Sequence, residues 1–507
     1  MMMKMLFTTD FFKFTKIRER LRAKINVKKK KKTVETTIEI IINILILLEL
    51  VLNFGIIKYV KYTEIDWRSY GEEVDGFFKN KEFDYVNLRG QTGPLVYPAG
   101  FVYFFGFVRF VCGEEIIKAQ CLFALMYVFN QWISFRILQK SGRVPIYFYP
   151  IVCLSKRMHS IYSLRMFNDG VCAIFCHLAV LAFMDRKNWN AKSINRDAFA
   201  RGFAWLSIAT SIKMNALLYL PPALVLLVGY GETLFEIFTC LGVFLAVQII
   251  LALPFLLTFP RSYLSRAFEL TRVFTYKWTV NFKFLSEEQF VSKELANGLL
   301  IVHLTLLFVA AHRKWFRGSS SEKEVARLRV EQRFFWDFFR NFLRKFERNG
   351  STLPTTTSTT TTTTQRRRYD NRKMKDNIGG DDDGNSKIEE QAKLDIIYPS
   401  ENKIALILAQ GNFIGILCAR SLHYQFYAWY FNLLPLILFN RREPFARTRK
   451  LSMGKKQNQN VNLIFECLIN GSVMLILEYC WNKYPSTSFS SSLLQATHVF
   501  IYALCVF

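Results

Sequence analysis

A series of long apolar runs limits what this sequence can fold into more than any other feature. The first run, 38–60, is close to the roughly 20 residues that a helix needs to cross the hydrocarbon core of a bilayer. Lipid offers the backbone no hydrogen-bond partners, so such segments cross as helices. Half of the residues are hydrophobic, and 49 are Phe. The sequence therefore predicts an all-α polytopic membrane protein.

About 12 segments are candidates for transmembrane helices by their length and apolar character. Their approximate bounds are 36–60, 98–112, 117–138, 144–164, 168–183, 202–228, 233–258, 294–312, 403–418, 428–440, 461–481 and 491–507. They divide the chain into a basic cytosolic arm at 1–35, a transmembrane region at 36–312, a basic, Thr-rich, largely disordered cytosolic loop at 313–402, and a transmembrane region at 403–507. An odd number of crossings before residue 260 places the polar loops 61–97 and 260–293 on the same, non-cytosolic side.

The net charge of +27 is concentrated in three basic blocks beside the apolar runs. Basic flanks mark the cytosolic side of a membrane protein and attract anionic lipid headgroups. Nucleic acid could use the same charges, but no nucleic-acid-binding module accompanies them. We therefore expect membrane lipids, and no nucleic acid, as partners. The ten Cys show neither zinc-ligand spacing nor a disulfide framework.

The polar, acidic and aromatic loop that follows the first apolar run is the leading place to look for chemistry. Glu64 and Asp66 lie just beyond that run. The next residues predict a short helix whose aromatic side chains, Trp67 among them, recur at helical spacing and would lie on the bilayer. Its remaining acids would form a solvated face; they are Glu72, Glu73 and Asp75.

Several charges interrupt the apolar segments in the middle of the chain. Lys156, Arg157 and Arg165 flank or enter the segment 144–164, and Lys213 lies within 202–228. Charges inside spans are costly and commonly line a cavity. The alternative is that they reach the interface from the ends of spans. His159, beside them, is more typical of a structural histidine.

Six segments resemble the dolichyl-phosphate-mannose-dependent α-1,3-mannosyltransferases of the endoplasmic reticulum. They read YTEIDWRSYGEEVDGF (62–77), LRGQTGPLVYPAGFVYFF (88–105), HSIYSLRMFNDG (159–170), SIKMNALLYLPP (211–222), FELTRVFTYKWTVNFKFL (268–285) and GNFIGILCARSLHYQFYAWYFNLLPLIL (411–438). The resemblance covers most of the membrane region, but neither the arm 1–35 nor the loop 313–402. It implies the GT-C glycosyltransferase fold, with the active site in loops at the lumenal face of the endoplasmic reticulum membrane.

The family's reaction moves mannose from dolichyl-phosphate mannose to the five-mannose dolichyl-diphosphate-linked oligosaccharide. The donor is β-linked and the new bond is α, so the reaction inverts the anomeric centre and needs a carboxylate as general base. Asp66 is the first candidate for that base and Glu64 the second. Asp66 could instead cap the loop helix, since Asp is a favoured N-cap.

The same resemblance suggests which residues bind the two substrates. For the donor phosphate it favours cations that stabilise the leaving group; they are Arg420, His423, Arg272 and Lys277. The candidates for substrate binding are Trp67, Tyr97, Asn168, Asp169, Lys213 and Trp278. Ordinary interfacial anchoring is the alternative for the aromatic and basic members of both sets. Neither a metal nor a cofactor is expected.

Two other functions stay open at this point. The chain could be a GT-C transferase with a different acceptor, or a multi-pass lipid transporter. A transporter would keep its function without the Asp66 carboxylate, whereas a transferase that uses this base would not.

Overall fold

A computed structural model describes residues 33–185, 197–230, 234–269, 272, 275–315, 399–440 and 453–506. The predicted arm 1–35 and loop 313–402 lie almost entirely outside these residues. The regular secondary structure of the described part is helical apart from one hairpin of two-residue strands, β1 (Arg89–Gly90) and β2 (Gly93–Pro94), in which Arg89 is the register partner of Pro94. The expected all-α class is therefore confirmed.

The helices in the first half of the chain form a bundle that carries one short amphipathic helix. They are α1 (Thr33–Tyr59), α2 (Trp67–Phe78), α3 (Ala99–Cys112), α4 (Ile116–Ser141), α5 (Tyr149–Cys153), α6 (Lys156–His159), α7 (Asn168–Phe183), α8 (Ala198–Ile212), α9 (Leu220–Tyr230) and α10 (Leu234–Thr258). The most extensive packing joins α8 to α7 and α10.

The second half begins with short helices and ends with two long ones. They are α11 (Pro260–Ala267), α12 (Glu287–Val291), α13 (Lys293–Ala310), α14 (Glu401–Leu417), α15 (Leu434–Leu438), α16 (Met453–Asn482) and α17 (Ser488–Val506). Helix α14 is buried along nearly its whole length and packs against α4, α7 and α9, so it ties the two halves together.

Five helices of the described part are long and apolar enough to cross a membrane: α1, α4, α10, α13 and α16. A bent pair, Lys156–Leu164 with Asn168–Phe183 at 110°, raises the count to six. Helix α3 has only 14 residues, about 21 Å at 1.5 Å per residue, which is short of a hydrocarbon core of about 30 Å. These helices make the chain a multi-pass membrane protein.

Three predicted spans are not single helices. In segment 202–228, α8 ends at Ile212, and a 3₁₀ turn (Met214–Tyr219) leads into α9. Segment 144–164 breaks into a 3₁₀ turn, α5, α6 and a π-helical turn, because Pro145 and Pro150 lack an N–H and Ser155 begins a new helix by accepting the N–H of Met158. Segment 428–440 is likewise a series of short 3₁₀ turns followed by α15, where Pro435 starts the last helix. The expectations for 144–164 and 428–440 were wrong because uniform apolarity does not reveal where a helix stops, whereas Lys213 already interrupted the apolar run 202–228 in the sequence.

The predicted loop helix forms, but its apolar stripe faces protein instead of lipid. In α2, Trp67, Tyr70, Val74 and Phe77 are all less than 10% exposed. Tyr70 lies edge-on to two Phe rings of α3, at 5.0 and 4.7 Å between centroids. Aromatic side chains bury large areas in such contacts. The interfacial placement predicted for this stripe is therefore wrong, and α2 is fixed onto the bundle.

Candidate functional site

Breaks and ends of helices meet around one large cavity of about 2080 Å³. This is larger than the roughly 300–1,000 Å³ typical of small-molecule pockets. Eight of the predicted site residues line it: Glu64, Asp66, Tyr97, Lys213, Arg272, Trp278, Arg420 and His423. Four others do not contribute to its wall: Trp67, Asn168, Asp169 and Lys277. Most of the site residues predicted from the sequence therefore lie around one cavity.

Lys213 is held at the cavity wall by a buried ion pair. It lies where α8 ends, in extended backbone before the next 3₁₀ turn. Its ammonium donates to Asp169 Oδ2 at 2.8 Å and to Asn168 Oδ1 at 3.2 Å, both in the first turn of α7. The Asp169 side chain is fully buried, and its other oxygen accepts the indole N–H of Trp429 at 2.6 Å. Asn168 and Asp169 thus form a layer behind the cavity that positions Lys213 and Trp429.

Aromatic rings surround the same ammonium group. Lys213 Nζ lies 5.3, 5.1 and 6.0 Å from the ring centroids of Tyr97, Phe426 and Trp429. These distances allow cation–π attraction. Phe426 stacks on Trp429 with centroids 4.0 Å apart. The arrangement places flat apolar faces and one fixed positive charge beside the Asp66 carboxylate.

Asp66 occupies the N-cap position of α2, yet its side chain makes no capping hydrogen bond. Glu64 performs that task, because its Oε1 accepts the N–H of Arg68 at 3.1 Å while its other oxygen accepts the hydroxyl of Tyr62. Asp66 Oδ2 has only a long contact, 3.4 Å, with the Tyr70 hydroxyl. The capping alternative for Asp66 is wrong, and Asp66 borders the cavity with its carboxylate weakly engaged.

The electrostatic environment makes Asp66 a stronger base than an ordinary aspartate. Burial raises its pKa, the Lys213 ammonium opposes that shift, and the Asp169 carboxylate adds to it. A carboxylate base with a raised pKa holds a transferred proton more tightly than an ordinary aspartate does. Proton abstraction from a bound hydroxyl is therefore within the reach of this carboxylate.

Glu73 is a carboxyl group that sequence reasoning misplaced. It was expected on a solvated face, but it is 4% exposed, lines the cavity, and has an Oε2 atom with no hydrogen-bond partner among the described residues. Burial and the nearby Asp66 carboxylate raise the pKa of Glu73 well above its ordinary value, against the pull of Arg272. This environment favours the protonated form of Glu73, which would present a hydroxyl donor to the cavity.

A basic side of the cavity is built from two loops that pair with each other. Arg420 Nη2 donates to the backbone carbonyl of Arg272 at 3.1 Å. The buried side chain of Asn281 joins the loops, accepting the N–H of Leu422 at 2.8 Å and donating to the carbonyl of Ala419 at 2.8 Å. Asn281 was missed, although it lies inside one of the quoted motifs.

His423 lies in the same loop and is neutral at neutral pH. Burial, followed by the charges of Lys213 and Arg272, lowers its pKa to about 4. It therefore offers the cavity a hydrogen bond and no charge. The positive charge of this side comes from Arg272 and Arg420.

The remaining aromatic and basic candidates have other surroundings. Trp67 is 6% exposed and packs edge-on against Phe123 of α4. Trp67 therefore has a packing role, instead of the substrate-binding or interfacial role predicted for it. Trp278 is 44% exposed at the cavity rim and stacks on Tyr484. Lys277 lies over the Trp278 ring, 5.1 Å from its centroid and outside the cavity wall.

A buried acid in the first span was also missed. Glu49 of α1 is 2% exposed and lies 2.8 Å from Nε2 of His159, whose Nδ1 contacts the carbonyl of Ser155 at 2.7 Å. Tyr127 also donates to Glu49, at 3.1 Å. His159 is thus anchored on both ring nitrogens, as expected for a structural histidine, although it also borders the cavity.

Within the described ranges, no group of three or more His, Cys, Asp or Glu side chains is placed to hold a metal ion. The Cys residues there are all free thiols, most of them buried in the helices.

Comparison with known proteins gives a consistent set of relatives. The family model described as "ALG3 protein" matches residues 43–491. An Arabidopsis thaliana protein named "Dol-P-Man:Man(5)GlcNAc(2)-PP-Dol alpha-1,3-mannosyltransferase" is 38% identical over 455 residues, which are 90% of this chain and 85% of that protein. A Homo sapiens protein of the same name is 33% identical over 462 residues, 90% of this chain and 84% of that protein. No solved structure gives a significant match to the chain.

Proposed function

The chain belongs to the ALG3 family, and we propose that it transfers mannose from dolichyl-phosphate mannose, in α-1,3 linkage, to the five-mannose dolichyl-diphosphate-linked oligosaccharide. It is thus a glycosyltransferase of N-glycan precursor assembly. Relatives that align with about nine tenths of this chain are named for this activity.

The fold in this proposal is GT-C, with about 12 crossings of the endoplasmic reticulum membrane and the catalytic loops on the lumenal side. The apolar helices and the basic flanks support a multi-pass arrangement with this orientation. In this proposal the shorter segments, such as α3 and the bent pair, are also membrane crossings. Neighbouring segments that pack against them supply the rest of the length needed.

Asp66 is the general base of this reaction. Its carboxylate takes the proton of the acceptor 3-hydroxyl as that oxygen bonds to C1 of the donor mannose, while the C1–O bond to phosphate breaks and dolichyl phosphate leaves. Attack from the face opposite the leaving group turns the β-linkage into an α-linkage in one step. The observation that carries this assignment is a carboxylate at the cavity wall that makes no capping bond and has a raised pKa.

The phosphate of the donor belongs on the basic side formed by Arg272, Arg420 and His423. Guanidinium groups suit phosphate oxygens because they present paired donors in one plane. Charge that develops on the leaving phosphate is stabilised there without the need for a proton donor, since dolichyl phosphate, the phosphate monoester that leaves, is already a weak base. Lys213, in its aromatic surroundings, lies between this side and Asp66, where it can contact the transferred sugar.

The test is mannose transfer by purified protein in nanodiscs, with both lipid substrates. We expect Asp66→Asn to lower kcat by about 10²–10⁴-fold, the usual contribution of a general base. Glu64→Gln is the matched control, because it removes a neighbouring carboxylate that caps α2; it should lose less than tenfold. Full activity in a folded Asp66→Asn variant would move the base elsewhere, and lipid movement without sugar transfer would favour a transporter.

A further inference from the structure

Two arginines reach the cavity from a part of the chain other than the expected catalytic loops 61–97 and 260–293. Arg157 belongs to α6, and Arg165 follows the π-helical turn Ser160–Leu164, at the 110° bend before α7. Both line the cavity. Irregular backbone at membrane depth is tolerated where it borders a polar cavity, so this bend is placed where charged side chains can serve a ligand.

Neither guanidinium forms an ion pair within the described part of the chain. Arg157 is 8% exposed, its Nε has no hydrogen-bond partner among the described residues, and its charged group lies 5.0 Å from the Tyr424 ring centroid. Arg165 donates to the Ser160 hydroxyl. Lys213 shows the contrast, since it lies 2.8 Å from a buried carboxylate oxygen.

The acid beside this pair is already engaged. Glu478 of α16 accepts the backbone N–H of Arg157 at 3.0 Å, the hydroxyl of Ser155 at 2.8 Å and the side-chain amide of Asn482 at 2.8 Å. Lys156 adds a third cation to the cavity wall here. The second carboxylate at α6, Glu49, is already engaged by His159 at 2.8 Å and by the Tyr127 hydroxyl at 3.1 Å. The three cations therefore outnumber the two carboxylates beside them.

Such an excess needs a counter-charge. A buried cation without a partner costs free energy, and a charge at membrane depth is usually paired or functional. Interfacial snorkelling does not explain Arg157, because snorkelling brings the charged end into water and this side chain is almost completely buried. The fork of donors in arginine fits phosphate oxygens in particular.

Resting on the proposed function, we infer that Arg157 and Arg165 bind the diphosphate of the lipid-linked acceptor. A diphosphate diester carries two negative charges, one for each of these arginines, whereas the donor phosphodiester carries one. Tyr424, which lies beneath Arg157, directly follows His423. The two basic groups, Arg157 with Arg165 and Arg272 with Arg420, are therefore neighbours on one cavity wall. The reaction requires this, because the phosphates of both lipid substrates must lie near the sugars that react.

The first experiment compares the KM values of the two substrates in Arg165→Gln, chosen because Arg165 is only partly buried. We expect the KM for the acceptor to rise roughly 10- to 100-fold, from the loss of a charge-assisted contact, and the KM for the donor to stay unchanged. Arg165→Lys should recover part of the loss. Arg89→Gln, an exposed arginine whose side chain bonds only the Val86 carbonyl, is the control.

The outcomes separate the two lipid sources. A rise in the donor KM alone, or in both equally, would overturn the assignment in favour of the donor phosphate, and no change in either would show that the pair only stabilises the fold. A second readout does not depend on transfer: inorganic diphosphate should raise the melting temperature of the wild type more than that of Arg165→Gln. Wild type that is stabilised in this way but transfers no mannose would refute the proposed function and leave the anion site standing.

Discussion

The buried pair of Lys213 and Asp169 offers the sharpest test of how this site is held together. The ammonium and carboxylate are 2.8 Å apart, with side chains 11% and 0% exposed. Lys213→Met keeps most of the apolar stem but leaves the buried Asp169 side chain with one remaining donor, the Trp429 indole. Breaking a buried pair from one side costs about 3–5 kcal/mol, because the other charge stays buried and uncompensated. We expect the free energy of unfolding to fall by that amount.

The double variant Lys213→Met/Asp169→Asn removes both charges and should recover much of the loss. A coupling energy of about 2–3 kcal/mol is expected between the two sites. The measurement is unfolding by SDS titration in mixed micelles for the wild type, both single variants and the double variant. A loss below about 1 kcal/mol in Lys213→Met, or additive single effects, would refute the view that this pair is a tightly coupled unit.

The same variant has a second, independent consequence for catalysis. The Lys213 charge holds the pKa of Asp66 down against burial, so its removal should raise that pKa further. Asp66 must be ionised to act as base, and activity is lost as the pH falls through its pKa. In Lys213→Met, which keeps the Asp169 carboxylate that also raises the pKa of Asp66, we therefore expect the acid limb of kcat/KM to move to higher pH. A limb that stays in place or moves to lower pH would mean that Lys213 does not act on the base.

Two further predictions concern α2 and its surroundings. Glu73 has a raised pKa in the folded chain, so the folded state holds a proton that the unfolded state releases above about pH 4.3, and stability falls as the pH rises from there. Glu73→Gln should reduce that fall in thermal unfolding while transfer is retained, and it should leave the part due to Asp66, whose pKa is also raised. An unchanged pH dependence would contradict this prediction. Gly90→Ala should lower stability by about 1–3 kcal/mol, because a Cβ there would lie 2.6 Å from Cα of Ser69. Gly55→Ala, where a Cβ meets nothing within 4 Å, is its control, and equal effects of the two changes would show that the close approach is unimportant.

Sequence patterns correctly predicted helices whose formation is determined by the lipid environment or by composition. They were less successful where tertiary packing determines which side chains are buried and where a helix ends. The run 38–60 became α1 because a long apolar segment has few alternatives in a membrane. Glu73 was misplaced because helical spacing gives the angle between side chains on α2 but not which face α3 covers. The break in 144–164 was missed because the apolar run continues through Pro145 and Pro150.

The candidate site was accessible to sequence reasoning mainly through its motifs. They brought Asp66, Lys213 and Arg420 to one cavity wall although they are far apart in the chain. The partners that support them were less visible. Asn281 acts through its side-chain hydrogen bonds to a loop about 140 residues away, and no local pattern records such a contact. The division of labour between Glu64 and Asp66 likewise depends on which carboxylate meets the first N–H groups of α2.

The bond between Trp429 and Asp169 also has a consequence for how the protein is made. Its two residues are 260 positions apart. At about 5–20 residues per second, a ribosome needs roughly 10–50 s to pass from one to the other. During that interval the first half of the bundle already lies in the membrane with a carboxylate that lacks one of its two partners. Nascent chains halted before residue 429 should therefore be held by membrane chaperones or degraded, whereas chains halted after α15 should escape both.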